Sequence, residues 1–81
     1  MGSRVLPLGF LQAGQDAVIK KFNHGRGFCR RLTEMGFVRG ARVRVVKNDI
    51  GGPLIVTTGD GRLAIGRGMA MRILVEEVEQ Q

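Results

Sequence analysis

Residues 28–36 read FCRRLTEMG and residues 41–45 read ARVRV, and the apolar spacing changes between these two segments. Phe28, Leu32 and Met35 stand at i, i+4 and i+7, which is one face of an α-helix. Gly36 follows at the place where a left-handed residue ends a helix. We therefore predict a helix over residues 26–35, with Leu32 buried and Phe28 and Met35 beside it. The strict alternation in residues 41–45 predicts a strand with its valines inward and its arginines outward.

Four further segments have the β-branched or alternating character of strands. They are residues 16–22, 54–58, 62–65 and 72–78. Gly59-Asp60-Gly61 predicts a tight hairpin between the second and third of them, whereas residues 7–15 predict a single turn. The sequence thus predicts a mainly β domain with one inserted helix. Closing its five strands into a small barrel would best remove the open sheet edges.

Length and composition restrict the class of protein. The chain has 81 residues, of which 43% are hydrophobic, and these values fit one globular domain. A single Cys cannot form an internal disulfide, which favours a reducing, cytoplasmic setting. No apolar run approaches a signal peptide or the roughly 20 residues that cross a bilayer. We expect one domain over residues 1–81, with residues 1–6 a tag or a disordered segment.

The sequence contains few of the residues that catalysis or metal binding requires. Ser3 is the only Ser, and Glu76 and Glu77 should point to opposite faces of a strand, so neither a catalytic triad nor a carboxylate pair is expected. The chain has no P-loop motif. His24 and Cys29 fall short of the four ligands of a structural metal site. We predict no catalytic residue, no cofactor, no metal site and no small-molecule substrate, and hence no enzyme.

Positive charge is concentrated in one part of the chain. The formal net charge is +6, residues 20–47 carry +8, and the remainder carries −2. A basic face of this kind can bind nucleic acid, anionic lipid or an acidic protein surface, or can simply be solvated. The chain has no Tyr and no Trp, which argues against base stacking on exposed aromatic side chains.

Several segments form an ordered set of motifs over about residues 7–78. They are Leu8, Leu11 and Gly14, the segment 29–40, Val43, Val45 and Val46, Gly52-Pro53-Leu54, the segment 61–65, and Ala70, Ile73 and Val75. This ordered set resembles the FeoA family. The resemblance implies an SH3-like β-barrel and a small cytosolic accessory protein of bacterial ferrous-iron uptake. It also implies a partner, FeoB, the membrane permease with a GTP-binding cytoplasmic domain.

Charge and resemblance together give the functional prediction. We expect a cytoplasmic accessory protein that regulates ferrous-iron uptake by binding the cytoplasmic region of FeoB, and that reaches the inner membrane only through this partner. The alternative is a small basic barrel that binds RNA or DNA through phosphate contacts, and weak self-association stays open. The predicted partner-binding residues are Arg26, Arg30, Arg31, Arg42 and Arg44, with Met69 and Met71 as an apolar alternative.

Overall fold

The computed structural model describes residues 4–23, 30, 32–59 and 61–78. Within these ranges it contains six strands, two helices and a 3-10 turn. Residues 30 and 32–34 are the described part of helix α1. A 3-10 turn covers Leu8–Phe10, and helix α2 covers Arg67–Ala70. The strands are β1 (Val5–Pro7), β2 (Asp16–Phe22), β3 (Arg42–Asn48), β4 (Leu54–Thr58), β5 (Gly61–Ile65) and β6 (Ile73–Val78).

The strands form one antiparallel sheet in the order β1-β6-β2-β3-β4-β5. Strands β2 to β5 follow the chain as a meander, and β6 returns to lie between β1 and β2. The predicted mainly β fold with a helix inserted after the first long strand is confirmed. The predicted count of five strands was too low, because β1 has only three residues and ends at Pro7, too few to show alternation.

The N-terminal segment belongs to the sheet. Val5 and Leu6, which we expected to lie in a tag or disordered segment, pair with Glu76 and Val75 of β6. The single turn predicted for residues 7–15 contains the 3-10 turn. Leu8 in that turn is fully buried, so this end of the chain is packed against the core.

Two irregularities bend the sheet around its core. The pairing of β2 with β6 shifts register between Ile19 and Lys21, and the pairing of β3 with β4 shifts between Val45 and Lys47. An extra residue in one strand increases the local twist and bend, so the long strands can curl. The buried apolar side chains form one cluster: Leu8, Leu11, Ala17, Ile19, Leu32, Phe37, Val43, Val45, Leu54, Val56, Ile65, Ala70, Ile73 and Val75.

Helix α1 ends in a Schellman motif. Gly36 has a φ of +92°. The Phe37 N–H donates to the Leu32 carbonyl at 2.9 Å, and the Gly36 N–H donates to the Thr33 carbonyl at 3.1 Å. This pair of bonds defines the motif and satisfies two carbonyls at the helix end. The predicted end of the helix at Gly36 is thereby confirmed.

The predicted buried face of α1 is correct only in part. Leu32 is buried, but Met35 is 40% exposed, so the prediction that Met35 shares the buried face of the helix was wrong. Met35 comes directly before the left-handed residue, where the chain turns away from the helix axis. Phe28, the third residue of the predicted face, lies outside the described residues.

Replacing Gly36 by Val should lower the free energy of unfolding by about 1–2 kcal/mol or more, because L-residues resist positive φ and β-branching adds to the strain. Space is not the cause, since a Cβ on Gly36 would meet the Thr58 hydroxyl at an ordinary 3.5 Å. Chemical denaturation measures the loss. Gly61→Val is the matched control, because no atom lies within 4 Å of its added Cβ and its φ is not positive. Equal losses in both variants would contradict a conformational role for Gly36.

Candidate functional site

Asp16, the first residue of β2, is the one charged side chain that is buried among the described residues, at 5% exposure. Its cross-strand partner is Arg44, and Val18 faces Arg42 in the same register. Val43 and Val45 point into the core, so alternation along β3 places both arginines on the outer face of the sheet. The register of β2 against β3 therefore brings one carboxylate and two guanidinium groups together.

The two arginines share the Asp16 carboxylate. Arg44 donates from Nε to Oδ1 at 2.6 Å and from Nη2 to Oδ2 at 3.1 Å. Arg42 donates from Nη2 to Oδ2 at 3.2 Å. The hydrogen bond to Asp16, and then the attraction of its charge, raise the pKa of Arg44 above its ordinary value. One carboxylate against two guanidinium groups leaves one positive charge on this part of the surface.

The bonds to Asp16 hold the arginines without covering them. The Arg42 and Arg44 side chains remain 63% and 57% exposed. A guanidinium has five N–H donors, and the bonds to Asp16 use two of those on Arg44 and one on Arg42. Both side chains can therefore bind a further acceptor, such as a carboxylate of a partner, from a fixed position.

Positively charged side chains extend across the outer face of the sheet from β3 to the edge strand β5. Arg44 faces Thr57 in β4, and Thr57 faces Arg62 in β5, so the three side chains lie on the same face. Neighbouring strands are about 4.8 Å apart, which places the Arg62 backbone about 10 Å from that of Arg44. Arg62 is exposed. We call Arg42, Arg44 and Arg62 the basic face.

Sequence reasoning placed Arg62 in a strand but did not include it in the site. The signal that could have found it is the sequence Gly59-Asp60-Gly61, which predicts a tight hairpin, and the register of that hairpin sets Thr57 opposite Arg62. The pairing of Arg44 with Thr57 could not be obtained in this way, because a loop and a register shift separate β3 from β4.

The remaining predicted arginines are placed only in part. Arg30 is exposed on α1, and no hydrogen bond or ion pair in the described ranges joins it to the basic face. Arg26 and Arg31 lie outside the described residues. Their role in partner binding stays a prediction.

Met69 and Met71 lie at the other end of β3 from the arginine pair. Met69 packs against the core, and the Met71 sulfur covers Gly9 in the 3-10 turn. Asn48, the last residue of β3, donates to the Gly9 carbonyl at 3.2 Å. Asn48 lies six residue steps along β3 from Arg42, which is about 20 Å. The two predicted groups of contact residues therefore belong to different surfaces.

Arg67 ties helix α2 to this second end. Its Nη2 donates to Asn48 Oδ1 at 2.6 Å and to the Asp49 carbonyl at 2.9 Å. Asn48 Nδ2 in turn donates to the Leu11 carbonyl at 2.5 Å. This network joins α2, the loop after β3 and the segment after the 3-10 turn, so its role is to fix the positions of these elements.

The described part of the chain has neither a cluster of metal ligands nor a membrane-spanning helix. Over those residues no group of three or more His, Cys, Asp or Glu side chains could hold a metal ion. His24 and Cys29, weighed above as ligands, fall outside that part. No helix found there is long and apolar enough to cross a bilayer.

Comparison with known proteins gives a consistent result. The FeoA domain model matches residues 6–77. A candidate Fe(2+) transport protein A of Methanocaldococcus jannaschii is 41% identical over 73 residues, which are 90% of this chain and 88% of that protein. The crystal structure of an iron uptake regulatory protein, FeoA, matches with a TM-score of 0.87 and 31% identity, over 93% of this chain and 100% of that one.

A second solved structure relates this fold to SH3 domains. It is Stenotrophomonas maltophilia FeoA in complex with zinc, described as a procaryotic SH3 domain protein and a proposed activating factor of ferrous iron transport. It matches with a TM-score of 0.73 and 34% identity, over 93% of this chain and 89% of that one.

Proposed function

This chain belongs to the FeoA family, and on that basis we propose that it is a cytoplasmic accessory protein, not an enzyme, that regulates ferrous-iron uptake by binding the cytoplasmic region of a FeoB-type permease. A role in ferrous-iron transport follows from the family itself. The fold class is that of the SH3-like FeoA proteins. The partner and the docking surface are the new parts of the proposal.

The observation that carries the proposal is the basic face. Arg42 and Arg44 are fixed by Asp16 and still exposed, so they lose little side-chain freedom when they bind. The planar fork of arginine binds carboxylates bidentately. An acidic surface of the permease is therefore the partner chemistry that fits best. Predicted contacts outside this face are Arg26, Arg30 and Arg31, with Met69 and Met71 as the alternative surface.

Binding can regulate the permease only if it favours one of its conformations. A ligand shifts an equilibrium by as much as its affinities for the two states differ. The chain would therefore act by binding more tightly to the transport-active or to the inactive state of the permease. Nothing in this step requires a reaction at the basic face.

Arg62→Glu tests the basic face. We expect the affinity for the cytoplasmic domain of the permease to fall about five- to tenfold, mainly through slower association, as for charges at the rim of an interface. The melting temperature should be nearly unchanged, because Arg62 is exposed and forms no ion pair with another described residue. Arg44 is a poor choice for reversal, since a Glu there would face buried Asp16. Calorimetric titration at low and physiological salt measures both affinity and screening.

Arg72→Glu is the matched control, because it makes the same change in net charge at an exposed residue before β6. An equal loss of affinity in the two variants would mean that net charge, and not the basic face, drives binding. Random duplex DNA and a structured RNA are titrated in parallel. Tight binding of either at physiological salt, with no binding of the permease domain, would replace the proposed function by the nucleic-acid alternative.

A further inference from the structure

Strand β5 is an unprotected edge of the described sheet. The two edge strands are β1 and β5. Strand β1 has three residues and ends in Pro7, and both features hinder further pairing. Strand β5 has five residues, no proline and a regular register with β4 throughout. A regular, unpaired edge presents backbone groups on which another strand can add.

The hairpin register identifies those backbone groups. Thr58 faces Gly61 across a two-residue turn, and the hydrogen bond of such a turn joins this pair. Along the hairpin, opposite residue pairs then alternate between hydrogen-bonded and non-hydrogen-bonded. The backbone of Leu63 therefore hydrogen-bonds to β4, whereas the N–H and C=O groups of Arg62 and Ala64 point outward. Within the described ranges, neither of these two residues forms a backbone hydrogen bond beyond the strand pairing.

A cavity lies beside this edge on the core side of the sheet. Its volume is about 430 Å³, and it is lined by Met35, Thr58, Gly61, Arg62 and Leu63. Met35, which the sequence placed in the core, is the exposed apolar wall of this cavity. In a strand added to β5, the side chain opposite Leu63 would point toward the cavity. The side chain opposite Arg62 would lie on the outer face, next to its guanidinium.

We propose that β5 binds an extended segment of an acidic partner as an additional antiparallel or parallel strand. The segment has an apolar residue opposite Leu63 and an acidic residue opposite Arg62. The net charge of +6 and the basic face that ends at Arg62 select an acidic partner over a second copy of this chain. The identity of that partner, the cytoplasmic domain of the permease, rests on the proposed function.

Amide hydrogen exchange on the isotope-labelled chain tests the edge directly. In the free chain the Arg62 and Ala64 amides should exchange rapidly, and the Leu63 and Ile65 amides slowly. Adding the cytoplasmic domain of the permease should protect Arg62 and Ala64. Protection of these two amides in the free chain would show that the edge is already covered and would overturn the inference.

Ala64→Pro tests the same contact by affinity. The substitution removes one outward N–H, and an edge position of this kind tolerates proline. We expect the affinity for the permease domain to fall about tenfold or more. The variant loses one hydrogen bond between uncharged groups, and the proline ring hinders the approach of the partner strand. Ala64→Thr, which keeps the N–H on an exposed residue, should bind like the wild type.

The outcomes separate this inference from the proposed function. Normal binding by Ala64→Pro, or no protection of β5 on binding, would overturn the edge contact and leave the function standing. No binding by the wild-type chain would overturn both. If Ala64→Pro does not fold, protection of the Arg62 and Ala64 amides in the wild-type complex decides alone.

Discussion

Phe37→Ala should lower the free energy of unfolding by about 3–5 kcal/mol. Phe37 is fully buried and has the largest volume of the fully buried side chains in the described residues. Its truncation removes apolar burial and leaves a cavity that the surrounding strands can fill only partly. Because domains are typically stable by only about 5–15 kcal/mol, this one change should remove a large part of the free energy of unfolding.

Phe10→Ala is the matched control for Phe37→Ala, because Phe10 is the same residue type at 61% exposure. Chemical denaturation followed by far-UV circular dichroism measures both variants. Phe10→Ala should shift stability by less than about 1 kcal/mol. A loss at Phe37 as small as that at Phe10 would contradict the placement of Phe37 in the core.

Leu32→Ala is expected to lower the free energy of unfolding by about 2–5 kcal/mol. Leu32 is 1% exposed and is the residue of α1 whose carbonyl accepts from the Phe37 N–H. In a Schellman motif these two positions commonly make a hydrophobic contact. Losing the Leu32 side chain should therefore release α1 from the core as well as create a cavity.

Met35→Ala, at the exposed end of the same helix, is the control for Leu32→Ala. Met35→Ala should lower the free energy of unfolding by less than about 1 kcal/mol. The double variant of Leu32 and Phe37 adds a sharper test, since residues in contact couple by about 0.5–3 kcal/mol. Strict additivity of the two single losses would mean that the helix end and the core are stabilised independently.

Local patterns were enough to predict much of the fold. The alternation of Val43 and Val45 with the arginines of β3 is reproduced by their burial. Gly36 ends α1 at positive φ, as its place after an apolar helical face predicts. Strands β4 and β5 pair as the expected hairpin, with Thr58 opposite Gly61. Each of these features depends on residues that are close together in the sequence, where periodicity and turn chemistry apply directly.

Features that depend on distant pairing were missed. Strand β1 exists because Val5 and Leu6 find partners in β6, about 70 residues later, and no local period marks it. The exposed arginines of β3 were predicted, but their shared carboxylate was not, because Asp16 lies 28 residues before Arg44. The choice of the basic face for docking follows from this register, and partner binding there stays a prediction.

The position of β6 between β1 and β2 has a consequence for biosynthesis. Residues 5–22 are translated early, yet their sheet partners in β6 lie at residues 73–78. While the nascent chain is shorter than this, the meander of β2 to β5 has an open edge at β2 and an incomplete core that lacks Ile73 and Val75. The domain should therefore complete its fold only after residue 78 has left the ribosome, and the proposed docking on the permease must wait until then.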